Sequence, residues 1–291
     1  MENVLILGGG GVIGSSLIKK IMNPNINIIS IDKTEHQHIS HKNAECHIID
    51  LVDRANLPLL EKYILKADII FFKIAILGNP KFSANHDMVY KFIDVNTLIF
   101  LSIVKMIVNS NAKHVIIDSS IAAISNIRKS TNMKENQYNF GAMNYYGLSK
   151  LLLEDIINFY FKDCQKSTWV FRYPRVFSID VKNVIHNFVE GIVKNKQVVI
   201  MGNPNRCFDF VHINDVINAN EKIIYMNKKA GLKYCHITPG GSFSLINLIA
   251  IIKSTLNISE DINIIYKNDK KIVNEPIQNN LSMNDTRRIF G

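Results

Sequence analysis

The chain is poor in the features that announce several protein classes. Its four cysteines, Cys46, Cys164, Cys207 and Cys235, stand far apart with no CxxC pair among the 291 residues. Neither a disulfide framework nor a thiolate zinc site is indicated, and a reducing compartment is expected. Long apolar runs are missing too. The strongest, Ile69 to Leu77, is nine residues long and contains Lys73, against about 18 for a membrane span. The N-terminus carries Glu2 and runs through a few apolar residues straight into glycine, unlike a secretory leader with its basic start and longer apolar core. The expectation is a soluble cytoplasmic protein with no membrane partner. Basic runs of five or more are also absent: the excess of 34 Lys+Arg over 25 Asp+Glu, a formal +9, is spread along the chain. A nucleic-acid surface gathers its cations on one face, so no nucleic acid is expected. A diffuse positive charge favours a phosphate-bearing ligand instead. His36, His38, His41, Cys46 and His47 crowd one segment, but their spacing fits no common metal site, and a solvated loop without metal is the reading.

What the chain does have is apolar content, 47% of residues, enough for one large core or two modest ones. Val4 to Leu7, Ile26 to Ile31, Cys46 to Ile49, Asp68 to Phe72 and Val115 to Ile117 read as short buried strands. Helical stretches such as Val12 to Met22 and Val95 to Val108 lie between them. Strand and helix alternating at this spacing give parallel strands with right-handed crossovers, hence a doubly wound sheet. After Phe171 the pattern loosens. Arg172 to Asp180 reads as a crossing loop, Val184 to Lys194 as helix, Val198 to Met201 as strand, Asp215 to Tyr225 as helix, Tyr234 to Thr238 as strand and Leu245 to Leu256 as helix. The expected architecture is an α/β doubly wound parallel sheet over residues 1–171, with a smaller C-terminal α/β lobe over 172–291, some of whose segments return to the sheet.

Gly8, Gly11 and Gly14 form G-x-x-G-x-x-G between the first strand and a helical run that opens with Val12 and Ile13. Dinucleotides need backbone N–H groups at a helix N-terminus, with no Cβ blocking the approach of the pyrophosphate. They also need an acid about 20 residues on for the ribose hydroxyls, and Asp32 closes the second strand at that place. An acid there repels a 2′-phosphate, so NAD(H) is favoured over NADP(H), with Lys33 tempering the preference. Asp50, at the end of the third strand beside Leu51, is placed to reach adenine, or else is a solvated strand-end carboxylate.

Tyr146-Gly147-Leu148-Ser149-Lys150 is Y-x-x-x-K, which on a helix puts phenol and ammonium on one face. Tyr225/Lys229 and Tyr266/Lys270 share the spacing, so position must discriminate: only the first follows the fifth sheet strand. With the glycine turn, Asp32, Asp50-Leu51, Asn96, the strand-end serines Ser119-Ser120, Arg172-Tyr173, Phe208 to Asp215 and the closing Arg287 to Gly291, the chain resembles the extended short-chain dehydrogenase/reductases, the branch of sugar-nucleotide epimerases, dehydratases and 4-ketoreductases. The resemblance implies a Rossmann fold, a nucleotide-diphosphate sugar as substrate and a homodimer formed through the Asn96 and Tyr146 helices. It implies Ser120, Tyr146 and Lys150 as catalytic residues, with Ser119 a substitute for Ser120. It adds Ala75 and Asn96, with Tyr146 and Lys150, to the cofactor contacts. A phenol titrates near 10, so Tyr146 needs a depression of roughly 3 units for work at neutral pH, and Lys150 is the expected cation.

Several positions depart from the family pattern. Ile124-Ser125 stand where Tyr-Gly is common, and no carboxylates follow Ser120, which argues against dehydration. Arg175 occupies a position that often holds a substrate-facing asparagine and suits a diphosphate. Phe208 replaces a phosphate-binding arginine, and Arg206, two residues earlier, either serves from a shifted loop or is a surface charge. The leading expectation is an NAD(P)H-dependent reductase of a nucleotide-linked 4-keto-6-deoxysugar, because the chain stops where relatives continue into a further helix. The alternative is an NAD-dependent nucleotide-sugar 4-epimerase. A second alternative is a non-catalytic Rossmann protein that senses dinucleotides or binds RNA.

Overall fold

Strands buried on both faces read as continuous apolar runs, and Val4-Leu5-Ile6-Leu7 and Ile69-Ile70-Phe71-Phe72 are fully buried. In a computed structural model of the chain, which describes residues 1–35, 42–78, 85–125, 132–135, 142, 144–267 and 280–291, they lie at the centre of a seven-stranded sheet. Its strands are β1 (Glu2–Leu7), β2 (Ile26–Asp32), β3 (Ala44–Ile48), β4 (Ile69–Phe72), β5 (His114–Ser120), β6 (Ser167–Tyr173) and β7 (Gly231–His236). The order is 3-2-1-4-5-6-7 and every pairing is parallel. Of the metal-like histidines, His36, His38 and His41 lie outside the described residues.

Helices cover both faces. On one, α2 (Leu57–Lys66), α3 (His86–Asn109) and α4 (Tyr145–Phe161) close a core that includes Leu60, Phe100, Ile103 and Leu153. On the other, α1 (Val12–Lys20) and a later helix, Ile213–Ile224, pack Leu17, Ile18, Val216 and Ile223 against the sheet. By length and composition α3 is able to cross a membrane, with 24 residues and a window hydropathy of 1.7. Polar residues interrupt its apolar run, so no unbroken stretch of that length appears in the sequence. Half of that window is buried inside the fold, where Ile99, Phe100, Ile103, Val104 and Ile107 face the core.

A third core stands apart from these two. The parallel pair Gln197–Met201 and Asn263–Lys267 is covered by α5 (Val184–Glu190) and, after α6 (Ile213–Ile224), by α7 (Leu245–Thr255), around Phe188, Ile200, Phe208, Leu248 and Ile252. The segment 172–180 is not a plain crossing loop. β6 continues through Arg172 and Tyr173, breaks at Pro174, which has no N–H to donate, and resumes as Arg175–Phe177, parallel to Phe210–His212.

The strand runs on because Arg172 is anchored in the interior. Its guanidinium makes a two-pronged pair with Glu154 of α4, at 2.9 and 2.6 Å, with both side chains essentially unexposed. Glu154 also accepts from Ser119 Oγ at 2.5 Å, and Arg172 donates to the Glu135 carbonyl at 2.9 Å. The Glu135 carboxylate in turn accepts from the backbone N–H groups of Asp285 and Thr286 at the start of α8 (Asn284–Phe290). His236 closes this network: Nδ1 faces the Ser282 carbonyl at 3.0 Å and Nε2 faces Arg172 at 3.4 Å. Burial, aided by the Arg172 charge, pushes His236 down to about 3.

Removing one partner of a buried ion pair leaves the other uncompensated. Glu154→Gln is expected to cost about 3–5 kcal/mol in urea unfolding, and Glu154→Met with Arg172→Met together to cost less than Glu154→Gln alone. His236 is a neutral group in the fold that takes a proton near 6.5 once unfolded, so its stability contribution is complete above that pH and drains away as pH falls toward about 3. A His236→Gln variant should therefore show a shallower loss of unfolding free energy between pH 6 and 4, by up to about 1.4 kcal/mol per pH unit.

Candidate active site

The carboxyl ends of the central strands gather the chemistry-bearing residues. At the β1–α1 turn, Gly8 has φ +93°, and a Cβ there would stand 2.8 Å from the Lys73 carbonyl carbon. At Gly14 a Cβ would meet the Gly8 oxygen at 2.3 Å. Gly9, outside the motif as read from sequence, fits only because Ser30 Oγ lies where its Cβ would be. Gly11 differs: its backbone is ordinary, and the nearest atom to an added Cβ is the Gly8 oxygen at 3.3 Å. What Gly11 keeps open is the approach to α1, whose N-terminus has no side-chain cap. The N–H groups of Val12, Ile13 and Gly14 are thus available to an anion. Asp32 sits over this turn, one oxygen accepting from Gly10 N at 3.0 Å and the other from Thr34. This cradle fits the dinucleotide expected from the motif. Lys33 and Asp50 are exposed and Ala75 is half-buried, whereas the Leu51 side chain belongs to the core.

A π turn, Asp94–Leu98, widens α3 and turns Asn96 and Thr97 inward. Asn96 is fully buried, accepts from Ile76 N at 2.7 Å, and donates to the Ile76 carbonyl and to Ser149 Oγ. Thr97 Oγ1 donates to the Ser149 carbonyl at 2.8 Å. Asn96 thereby fixes the strand-end loop after β4 to the Tyr146 helix.

Of the three Y-x-x-x-K matches, only Tyr146/Lys150 lies within a helix. Tyr225 caps the end of α6 and Tyr266 lies on a strand, with Lys270 outside the described residues. Asn144 caps α4 by accepting from Gly147 N at 2.8 Å. Gly147 is needed because a Cβ would strike the Ala122 carbonyl at 2.5 Å. That close approach brings Tyr146 against the turn that follows β5. Ser120 starts this turn, accepting from Ala122 N and donating to the Tyr173 carbonyl, and its hydroxyl hydrogen-bonds the Tyr146 phenol. The Tyr146 ring is partly exposed and stacks edge-on with Phe92. Lys150 is buried and donates to the Asp118 carbonyl at 2.9 Å. The structure thus brings Ser120, Tyr146 and Lys150 together, while Ser119 faces Glu154.

The electrostatics differ from expectation. Burial pushes the Tyr146 phenol up to about 12, with Ser120 opposing and Asp118 adding to the rise. Burial likewise brings Lys150 down to about 8, against the pull of Asp118 and Glu154. The depression that sequence reasoning assigned to Lys150 is not seen at the phenol, where loss of solvation dominates and Lys150 Nζ is engaged by the Asp118 carbonyl. Beneath the site lies a ring of buried groups that the sequence reading did not single out. Lys73 donates to Asp118 Oδ1 and Asn220 Oδ1 at 2.5 Å each, Tyr173 OH donates to Asp118 Oδ1 at 2.8 Å, and Asn220 donates to Tyr173 OH at 2.9 Å. The signal was present: Lys73 is the one charge inside the strongest apolar run.

On the far side of the cleft, Arg175 stacks on the Phe208 ring at 4.0 Å and Arg206 lies 5.3 Å from the same ring. Arg206 is buried and donates to the Met201 and Asn203 carbonyls, so it is not a surface charge. His212 caps α6, accepting from Asn214 N. Ile124 is buried beside Leu281, which explains how the position tolerates an apolar side chain.

Residues 4–234 match the family model described as "NAD dependent epimerase/dehydratase family". The chain belongs to that family. Its members are NAD-dependent sugar-nucleotide enzymes of the short-chain dehydrogenase/reductase type. A Methanocaldococcus jannaschii protein provisionally named UDP-glucose 4-epimerase is 27% identical over 86% of this chain and 81% of its own. The UDP-glucose 4-epimerase of Mycoplasma genitalium is 26% identical over 85% and 79%. In structure, the Bacillus cereus UDP-glucuronic acid 4-epimerase in complex with UDP-glucuronic acid and NAD superposes with a TM-score of 0.83, at 17% identity, over 99% of this chain and 92% of that one.

Because only Gly8 O stands near a Cβ at Gly11, the variant Gly11→Val should fold with an almost unchanged thermal midpoint yet bind NAD at least tenfold more weakly by calorimetry, about 1.4 kcal/mol.

Proposed function

We propose that the chain is an NAD-dependent UDP-sugar 4-epimerase. The observation that carries this reading is the meeting of Ser120, Tyr146 and Lys150 at the carboxyl end of β5, opposite the open N-terminus of α1. NAD held there would supply the acceptor and donor of the hydride at C4. Tyr146 would hold the proton taken from the C4 hydroxyl and would return it to the same oxygen. Ser120, hydrogen-bonded to the phenol, holds the reacting oxygen, and Lys150 holds positive charge beside the proton path. Gly8, Gly11, Val12, Ile13 and Gly14 bind the pyrophosphate, with Asp32 at the ribose, Asp50 at the adenine, and the backbone at Lys33, Leu51 and Ala75 lining the nucleoside. Arg175 and Arg206, set around Phe208, face the substrate diphosphate. Residues 1–171 then carry mainly the cofactor and 172–291 mainly the substrate.

The reductase expected from chain length gives way to this alternative because the relatives above are epimerases, and the chain covers 79–81% of the curated ones. Length therefore does not separate the two activities. An RNA-binding or purely sensing protein has no support from an intact Ser-Tyr-Lys set. Exposed Leu98 and Leu101 on α3 and Phe159 on α4 support a homodimer through these helices. Free thiols at all four cysteines accord with a cytoplasmic location.

Incubation with UDP-glucose should yield UDP-galactose with no net change in added NADH, and Tyr146→Phe should lower turnover by about 10²–10⁴-fold while NAD still binds. Stoichiometric NADH oxidation on a UDP-4-keto sugar without epimerisation would return the reductase reading.

A further inference from the structure

Asp118 presents two chemically different ends to the site. Its carbonyl accepts from Lys150 Nζ, and its carboxylate, two residues below Ser120 on the same face of β5, is held by Lys73 and Tyr173. The groups that face Tyr146 can be taken element by element. From β5 come Asp118 and Ser120, and from α3 the Phe92 ring; around Asp118 and Lys150 stand Lys73 from the end of β4, Tyr173 from β6 and Glu154 from α4, itself paired with Arg172. Asp118 is the anion that opposes loss of the phenol proton, and Lys73 is the cation in direct contact with it, its side chain unexposed to water.

We propose that Lys73 is a positioning residue for the reaction: by neutralising Asp118 from beneath the sheet edge, it lets Tyr146 release and regain its proton. This rests on the epimerase reading for the identity of the reaction, but not for the coupling itself. Lys73 touches neither phenol nor substrate; it acts through Asp118. The geometry makes the coupling specific. Asn220 and Tyr173 complete a closed ring with Lys73 and Asp118, so the ammonium has one place to be, and that place is on the carboxylate. The shape of the ring also explains why a lysine is tolerated in the middle of the apolar run: its stem lies along Phe71, with the nitrogen 5.1 Å from the ring centroid.

The test is a phenolate absorbance titration of the NAD-loaded protein, taking wild type minus Tyr146→Phe to isolate one tyrosine among ten. Lys73→Met should raise the Tyr146 midpoint by about one pH unit or more, and Lys73→Met with Asp118→Asn should return it close to wild type, since the unpaired charge is then gone. Turnover of UDP-glucose at pH 7 should fall about tenfold in Lys73→Met and recover in the double variant. If Lys73→Met fails to fold, Asp118→Asn alone reads the same coupling with opposite sign, lowering the midpoint. An unmoved midpoint in Lys73→Met, no return in the double variant, or no Tyr146 ionisation in wild type below about pH 10.5, half a unit above the free phenol, would each overturn the proposal. Midpoints that move as expected with no epimerisation in any variant would overturn the UDP-sugar reading and leave this coupling standing.

Discussion

Asp118 and Glu154 are carboxylates buried at the carboxyl edge of this sheet, and the burial of charge is the constraint around which the rest is arranged. A carboxylate withdrawn from water must meet cations or several hydrogen-bond donors. Asp118 meets Lys73 and Tyr173, and Glu154 meets Arg172 and Ser119. These contacts reach across β4, β5, β6, α4 and α6, so each strand end is fixed relative to its neighbours by ionic geometry as well as by backbone pairing. Strand register alone would leave the edge free to fray where the sheet stops. The pairs extend order to the first residues beyond it, which is where Ser120 sits.

The catalytic set is held by close packing of a different kind. Gly147 lets α4 approach the Ala122 carbonyl, and Asn96 with Thr97 holds Ser149 from the opposite side. Tyr146 and Lys150 are thus clamped between a turn and a widened helix. Partial desolvation follows from that clamping. It makes the phenol a weak acid, so that proton transfer depends on charge balanced nearby.

Much of this was legible in the sequence. Short apolar runs separated by turns located five sheet strands to within a few residues, most plainly β1 and β4, whose apolar runs are buried on both faces, whereas β3 at the sheet edge is largely exposed. The glycine spacing and Asp32 marked the turn because backbone geometry there admits so few residue types. The sequence reading missed what depends on contacts between distant segments. Arg172 was read as the start of a loop because its partner Glu154 lies on another element, 18 residues earlier. Lys73 was noticed only as an interruption, since its partners come from residues 45 and 147 positions away. The bonds that tie Asn96 to Ile76 and Ser149, 20 and 53 residues away, were likewise not visible in the sequence. Charge pairs across a fold have no spacing rule that a single sequence displays.

The Glu135 carboxylate, seated between Ser120 and Tyr146 in the chain, takes its donors from Asp285 and Thr286, about 150 residues later. During synthesis the amino-terminal strands emerge first and can pair as they appear. His236 N also donates to the Glu135 carboxylate, from 101 residues later, so the full set of donors exists only once α8 has been made. Assembly of the amino-terminal strands and completion of this buried network are therefore separated in time.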